Sequence, residues 1–160
     1  LSGVYGLYNG FELCEGRPVP GKEEYLDSEK YEIRAWDYDR PGNIRGFITR
    51  VNHIRRENPA LHDHVNVRFY NAWNDNILVY GKSTPAMDNF LLFAVNLDQE
   101  HPQGASFEVP LWEFNLPDGR VEVEDLLTGH RFTWDGKVQQ VWLDPAVNPC
   151  AVWRIRPPGL

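Results

Sequence analysis

The spacing of apolar residues changes period once along this chain, near Asn58-Pro59, and does not change back. Before that point Ile44, Phe47, Ile48, Val51 and Ile54 recur at i, i+3, i+4, i+7 and i+10. That is the single apolar face of a helix over 43–57. Arg45, Arg50, Arg55 and Arg56 lie largely off this face, and the basic last turn complements the helix dipole. Asn43 or Asp39 can cap the start, and Pro41 suits a first turn. Asn58, held out of the α region by the proline after it, should end the helix.

From residue 62 the period is two. Strands are predicted over 65–70, 77–82, 90–97, 106–111, 121–124, 131–134, 138–142 and 151–155, with turn signals at Pro117-Asp118-Gly119, Thr128-Gly129 and Asp135-Gly136. The unbroken apolar run 90–97 is the pattern of a strand buried on both faces. Trp134, Trp142 and Trp153 sit at alternating positions and read as core. Eight short strands with no helix between them argue for an antiparallel β-sandwich. The first 42 residues are loop-like, dense in Gly, Pro and charge, with Val4 to Tyr8 as one candidate short strand. They cannot bury the helix stripe alone, so it needs a surface from the sandwich or from further protein. The expected division is therefore 1–61 and 62–160.

Composition removes several function classes. The 160 residues are too few for a complete (β/α)8 barrel of about 250. A net charge of -7 lacks the basic footprint of a nucleic-acid binder. No apolar run approaches the roughly 20 residues of a membrane span, and no signal peptide opens the chain. The single Met is Met87, so the chain is expected to be a piece of something longer. Cys14 and Cys150 allow one bridge at most and read as small buried hydrophobes. Aromatic residues make up 13%, which suits β-structure or sugar contact.

Candidate chemistry is sparse. Glu23, Glu24, Asp27, Glu29, Glu32, Asp37 and Asp39 cluster before the helix, where a solvated charged loop competes with a carboxylate pair for glycoside chemistry. His62 and His64 flank Asp63, but a zinc site wants three or four ligands, and His53, His101 and His130 would join only by folding coincidence. No nucleophile elbow or phosphate-cradling glycine loop is present. Trp73, among Asn71, Asn74, Asp75 and Asn76, suits either stacking on a sugar or packing over a sheet edge. Lys30 and Tyr31 stand side by side in an acidic loop. An ammonium and a phenol can both hydrogen-bond sugar hydroxyls, and a surface ion pair with a packed ring is the alternative.

Several stretches carry a family resemblance. Tyr5-Gly6-Leu7-Tyr8-Asn9-Gly10-Phe11-Glu12-Leu13 resembles the eighth barrel strand and its exit in the α-amylase superfamily. Asn52-His53-Ile54-Arg55-Arg56-Glu57-Asn58-Pro59-Ala60-Leu61 resembles the end of its last barrel helix. Val121-Glu122-Val123-Glu124-Asp125-Leu126-Leu127-Thr128-Gly129 resembles the β-sandwich domain C that follows. Glu24-Tyr25-Leu26-Asp27-Ser28-Glu29-Lys30-Tyr31-Glu32-Ile33-Arg34 is similar to one subfamily, the α-1,4-glucan:maltose-1-phosphate maltosyltransferases.

The resemblance implies residues 1–61 as the last strand, donor loop and last helix of a (β/α)8 barrel, and 62–160 as domain C. It implies an enzyme, homodimeric when full length and cytoplasmic in bacteria, that moves maltosyl units from α-maltose 1-phosphate to the non-reducing end of an α-1,4-glucan with retention. Lys30 and Tyr31 then contact the maltosyl group of the donor. The nucleophilic Asp and the acid/base Glu of the family match no position here, so no catalytic residue is assigned and these residues alone are expected to be inactive. No metal and no cofactor is expected. A free-standing α-glucan-binding module, or the tail of another α-amylase-superfamily enzyme, is the alternative.

Overall fold

The strands after Leu61 are β1 (Val67–Tyr70), β2 (Ile77–Ser83), β3 (Phe90–Asn96), β4 (Gln103–Glu108), β5 (Arg120–Asp125), β6 (Arg131–Asp135), β7 (Val138–Leu143) and β8 (Cys150–Arg156). They come from a computed structural model that describes residues 4–26 and 33–157. Every pairing is antiparallel. Six strands form one sheet in the order β1-β2-β3-β8-β5-β6, and β4 pairs with β7 in a second.

The two sheets share one core. Phe107 of β4 stacks on Trp153 of β8 at 5.4 Å between ring centroids and 6° between planes. Trp134 of β6 meets both rings edge-on, at 5.5 and 5.1 Å. Offset and edge-on contacts are the arrangements that ring quadrupoles favour. Val79, Leu92, Val121, Val123 and Leu143 close around them, each 2% exposed or less. Gly81 makes room for two more rings, since a Cβ there would lie 2.7 Å from Tyr70 Cε2 and 3.0 Å from Phe90 Cζ.

The run read as doubly buried behaves so. Phe90, Leu92 and Ala94 join the core between the sheets. Leu91 points the other way and packs with Ile54, Leu126 and Val152 in a smaller cluster. Two segments of the β domain depart from the sequence expectation. The strand placed at 106–111 runs instead over Gln103–Glu108, because Pro110 has no N–H to give a ladder and the chain turns into a 3-10 helix at Leu111–Phe114. The strand at 138–142 exists, but its buried face is the opposite one. Trp142 is 65% exposed, whereas Trp134 and Trp153 are 8% and 6% exposed. Val141 and Leu143 are the residues of β7 that reach the core.

The chain divides into two units, Val4–His53 and the stretch from Ile54 onward. Helix α1 is Arg45–Glu57. Asn43 Oδ1 accepts the Arg45 N–H at 3.2 Å, the capping role expected of it. Asp39, the other candidate, takes the Arg45 guanidinium at 3.1 Å instead. Asn58 is extended at φ -119 and ψ 104 and ends the helix. No strand is assigned over 4–8, because a lone segment makes no ladder without strands alongside it. Of the α1 stripe, Ile54 is buried while Phe47 is 47% exposed.

Within the second unit, the end of α1 is keyed to the loop before β3. Asn58 is 1% exposed. Its Nδ2 donates to the Ile54 carbonyl at 2.8 Å and its Oδ1 accepts from Asn89 Nδ2 at 3.0 Å. Asn89 Oδ1 accepts the Ala60 N–H at 3.0 Å. Each amide thereby finds a partner out of water, the condition under which a buried polar group is tolerated.

Candidate functional site

Lys30 and Tyr31 lie outside the described residues, as do Asp27, Glu29 and Glu32. The described residues before and after them in the chain form a defined frame. Residues 17–26 form a narrow hairpin in which Val19 donates to Glu24 O at 2.7 Å and Leu26 to Arg17 O at 2.8 Å. Its tip is Val19-Pro20-Gly21-Lys22, closed by Lys22 N–H to Val19 O at 3.0 Å. Proline pre-sets the second position, and Gly21 at φ +75 takes the left-handed third.

Beyond the loop, the Arg34 guanidinium donates to the Leu26 carbonyl at 2.8 Å. Leu26 and Arg34, on either side of the segment that carries Lys30 and Tyr31, are therefore tied together. Arg34 also lies over the Trp36 ring at 5.5 Å, a cation–π contact. Trp36 presses on Gly10, where a Cβ would come within 2.8 Å of Cη2 and where φ is +88. Only glycine meets both demands cheaply. Tyr25 packs on Tyr8 at 5.4 Å, and Arg40 pairs with Glu15 at 3.2 Å and donates to the Leu13 carbonyl.

An open cavity of about 490 Å³ adjoins this tie, lined by Arg17, Arg34, Arg40, Glu15, Trp36 and Ile33 among others. Guanidinium groups only donate hydrogen bonds, so such a wall suits ligands rich in acceptor oxygens, sugar hydroxyls and phosphates included.

The remaining candidates are not drawn together. His62 Nε2 lies 3.0 Å from the Arg55 carbonyl, which engages one of its two ring nitrogens. Among the described residues no three of His, Cys, Asp and Glu converge. Cys14 and Cys150 are free thiols; Cys14 is exposed rather than a buried hydrophobe, and burial pushes the Cys150 thiol up. Glu124 accepts from Arg154 at 2.5 Å and from Arg131 at 3.4 Å on the outer face of β5, β6 and β8. The Arg154 hydrogen bond holds its carboxyl below the usual range. Among the described residues no helix is long and apolar enough to cross a membrane.

Comparison with known proteins gives this frame its context. The α-1,4-glucan:maltose-1-phosphate maltosyltransferase of Cereibacter sphaeroides is 60% identical over 161 residues, taking in 100% of this chain and 24% of that protein. The enzyme of that name from Pseudomonas aeruginosa is 56% identical over 156 residues, 97% of this chain and 24% of its own length. The family profile described as "GLGE, C-terminal" matches residues 69–155, from β1 into β8. The chain belongs to the maltosyltransferase C-terminal family.

It spans about a quarter of the length of the curated maltosyltransferases it matches. The fold is also like that of part of a solved α-amylase, from Geobacillus thermoleovorans and complexed with acarbose. The likeness has a TM-score of 0.56 and 18% identity, over 82% of this chain and 27% of that one. This agrees with the antiparallel β-sandwich expected of a domain C. The spacing misplaced Trp142 in this maltosyltransferase domain. Gly104, inside β4 and directly across from it, is the signal that could have found it, since a glycine within a strand marks a close approach.

Proposed function

We propose that this chain is the C-terminal part of a retaining maltosyltransferase, in which Lys30 and Tyr31 contact the maltosyl group of α-maltose 1-phosphate and the acceptor is the non-reducing end of an α-1,4-glucan. The observation that carries this reading is 60% identity to a maltosyltransferase over an alignment that takes in the whole chain.

In a retaining transfer, a carboxylate displaces the leaving group to form a covalent glycosyl intermediate, and an acceptor hydroxyl then attacks that intermediate with help from a second carboxyl. By resemblance both carboxylates belong to earlier barrel strands. The task of this chain is then positioning. The Lys30 ammonium gives charge-assisted hydrogen bonds to sugar hydroxyls, and Tyr31 offers a phenol and an apolar ring face. Holding the maltosyl unit in the reactive orientation lowers the entropic part of the barrier. The tie between Leu26 and Arg34 supports this role, because a short tether limits the conformations the pair must give up. Cytoplasmic location and homodimer assembly of the whole enzyme belong to the same proposal.

The test is steady-state kinetics of the intact enzyme. A charge-assisted hydrogen bond is worth about 1.5–3 kcal/mol, so Lys30→Ala should raise the donor KM by about tenfold or more, with Tyr31→Ala somewhat less. Unchanged kinetics in both variants overturns the assignment. The 160 residues alone should release phosphate from α-maltose 1-phosphate at the background rate.

A further inference from the structure

The two-stranded sheet turns one face to the core and the other to solvent. On the outer face, Gly104 stands opposite Trp142, and Ser106 stands opposite Gln140. A third segment flanks β4 on its free side, where the Trp73 N–H donates to the Ser106 carbonyl at 2.9 Å and Ala72 bridges to Phe107. Trp73 and Trp142 thus border one concavity of about 500 Å³, floored by Gly104, Ser106 and Gln140.

Both indoles stand out in water. Trp73 is 60% exposed and Trp142 65%. Trp142 is pinned: a Cβ at Gly104 would lie 3.0 Å from its Cε3 and 3.3 Å from its Cζ3. One edge of the indole therefore rests on bare backbone. Between the indoles, the Ser106 hydroxyl and the Gln140 amide make no hydrogen bond among the described residues. Asn74 braces the rim, donating to Gln103 Oε1 at 3.0 Å and to the Gly104 carbonyl at 2.9 Å.

We propose that this face binds a neutral α-1,4-glucan chain, a second carbohydrate contact that rests on the reading of the protein as an α-glucan maltosyltransferase. None of the lining residues is ionisable, in a chain of net charge -7. An ionic ligand has nothing to pair with there. Two exposed aromatic planes with unused amide and hydroxyl groups between them match a pyranose chain, whose rings present C–H faces to stack and hydroxyl edges to hydrogen-bond. The surface between the indoles is concave, which suits an α-linked chain that curves over a flat β-linked ribbon. Paired backbone holds both platforms, so little is lost in ordering them on binding.

The test is affinity electrophoresis of the full chain in gels containing glycogen, with maltoheptaose as competitor. The wild type should be retarded and released by maltoheptaose. An aromatic contact is worth up to about tenfold in affinity. Trp73→Ala and Trp142→Ala should each weaken retention by about that factor, and the double variant should run as in a plain gel. Both side chains are exposed, so the thermal unfolding midpoints should stay near the wild-type value. Gly104→Val, which crowds Trp142 without removing either indole, should also weaken retention. Equal retardation of wild type and double variant overturns the proposal. So does competition by cellohexaose as strong as by maltoheptaose, or self-association in sedimentation that depends on the two indoles. Retardation is read without any transfer reaction, so its loss leaves the assignment of Lys30 and Tyr31 standing, and failure of that assignment leaves this binding result readable.

Discussion

Backbone and side chains are used differently in Val4–His53 and in the residues from Ile54 on. The β domain spends its N–H and C=O groups on ladders and sends alternate side chains into a core of stacked rings. The first unit is held by turns and by long side chains reaching to carbonyl oxygens. Arg34 donates to Leu26, Arg45 to Tyr38 at 2.7 Å, and Asn43 Nδ2 to Arg40 at 2.7 Å. Among the described residues of this unit, Leu13 is the only buried hydrophobic side chain. Area removed from water is cooperative and indifferent to direction, whereas single polar contacts at a surface contribute little and open locally. One region stabilises itself. The other keeps a defined shape on either side of the Lys30-Tyr31 segment in the chain, with almost no core among its described residues.

Hydrogen exchange of the full chain is the strongest way to break that contrast. Amides of β2, β3 and β8 should be protected at least about a thousandfold more than those of the first unit, since core strands open only with global unfolding. Equal protection would erase the distinction. Next in size, Trp153→Ala or Phe107→Ala should cost about 3–5 kcal/mol in urea unfolding, while Phe47→Ala costs less than about 1 kcal/mol. A reversed order would place the working core elsewhere. Asn58→Ala should cost about 1–3 kcal/mol, because it removes a buried amide and strands the part-buried Asn89 Nδ2, and Asn43→Ala about 1 kcal/mol as a lost cap.

The smallest effect is a pH dependence within the β domain. The Arg154 hydrogen bond lowers the folded value of Glu124 below its ordinary 4.5. Its contribution is therefore complete above that ordinary value and is lost as pH falls through the lower folded one. The urea midpoint of wild type minus that of Glu124→Gln should shrink on acidification below about pH 4.5. A difference constant with pH would mean that Glu124 acts through packing.

The eight strands were readable because each half-buried strand alternates and each turn carries Gly, Asp or Pro. Which face is buried was not always readable. β7 is Val-Gln-Gln-Val-Trp-Leu, and counting Val138, Gln140 and Trp142 as one side puts its largest ring inside. The true side is Gln139, Val141 and Leu143, with the Gln139 amide folded back to the Asp135 and Gly136 carbonyls at 2.9 and 3.0 Å. A strand with a polar residue on either face leaves its period intact and its phase undetermined. The α1 stripe was legible as a helix but not in its depth, since periodicity says nothing about what covers a face. The frame of the Lys30-Tyr31 loop was legible only at Pro20-Gly21. Its tie from Arg34 to Leu26 depends on a long side chain bonding to a carbonyl, for which no residue spacing gives notice.

The order β1-β2-β3-β8-β5-β6 carries a consequence for how the protein is made. β8 sits between β3 and β5, with Leu92 opposite Trp153 and Val123 opposite Ile155. Until Arg156 has left the ribosome, β1-β2-β3 and β5-β6 are separate meanders, each with a raw edge and an uncovered apolar side. The last of these eight strands in chain order is the one that welds them. A nascent chain stalled before Cys150 would expose two adhesive edges at once, so this domain should depend on holding chaperones until β8 has emerged.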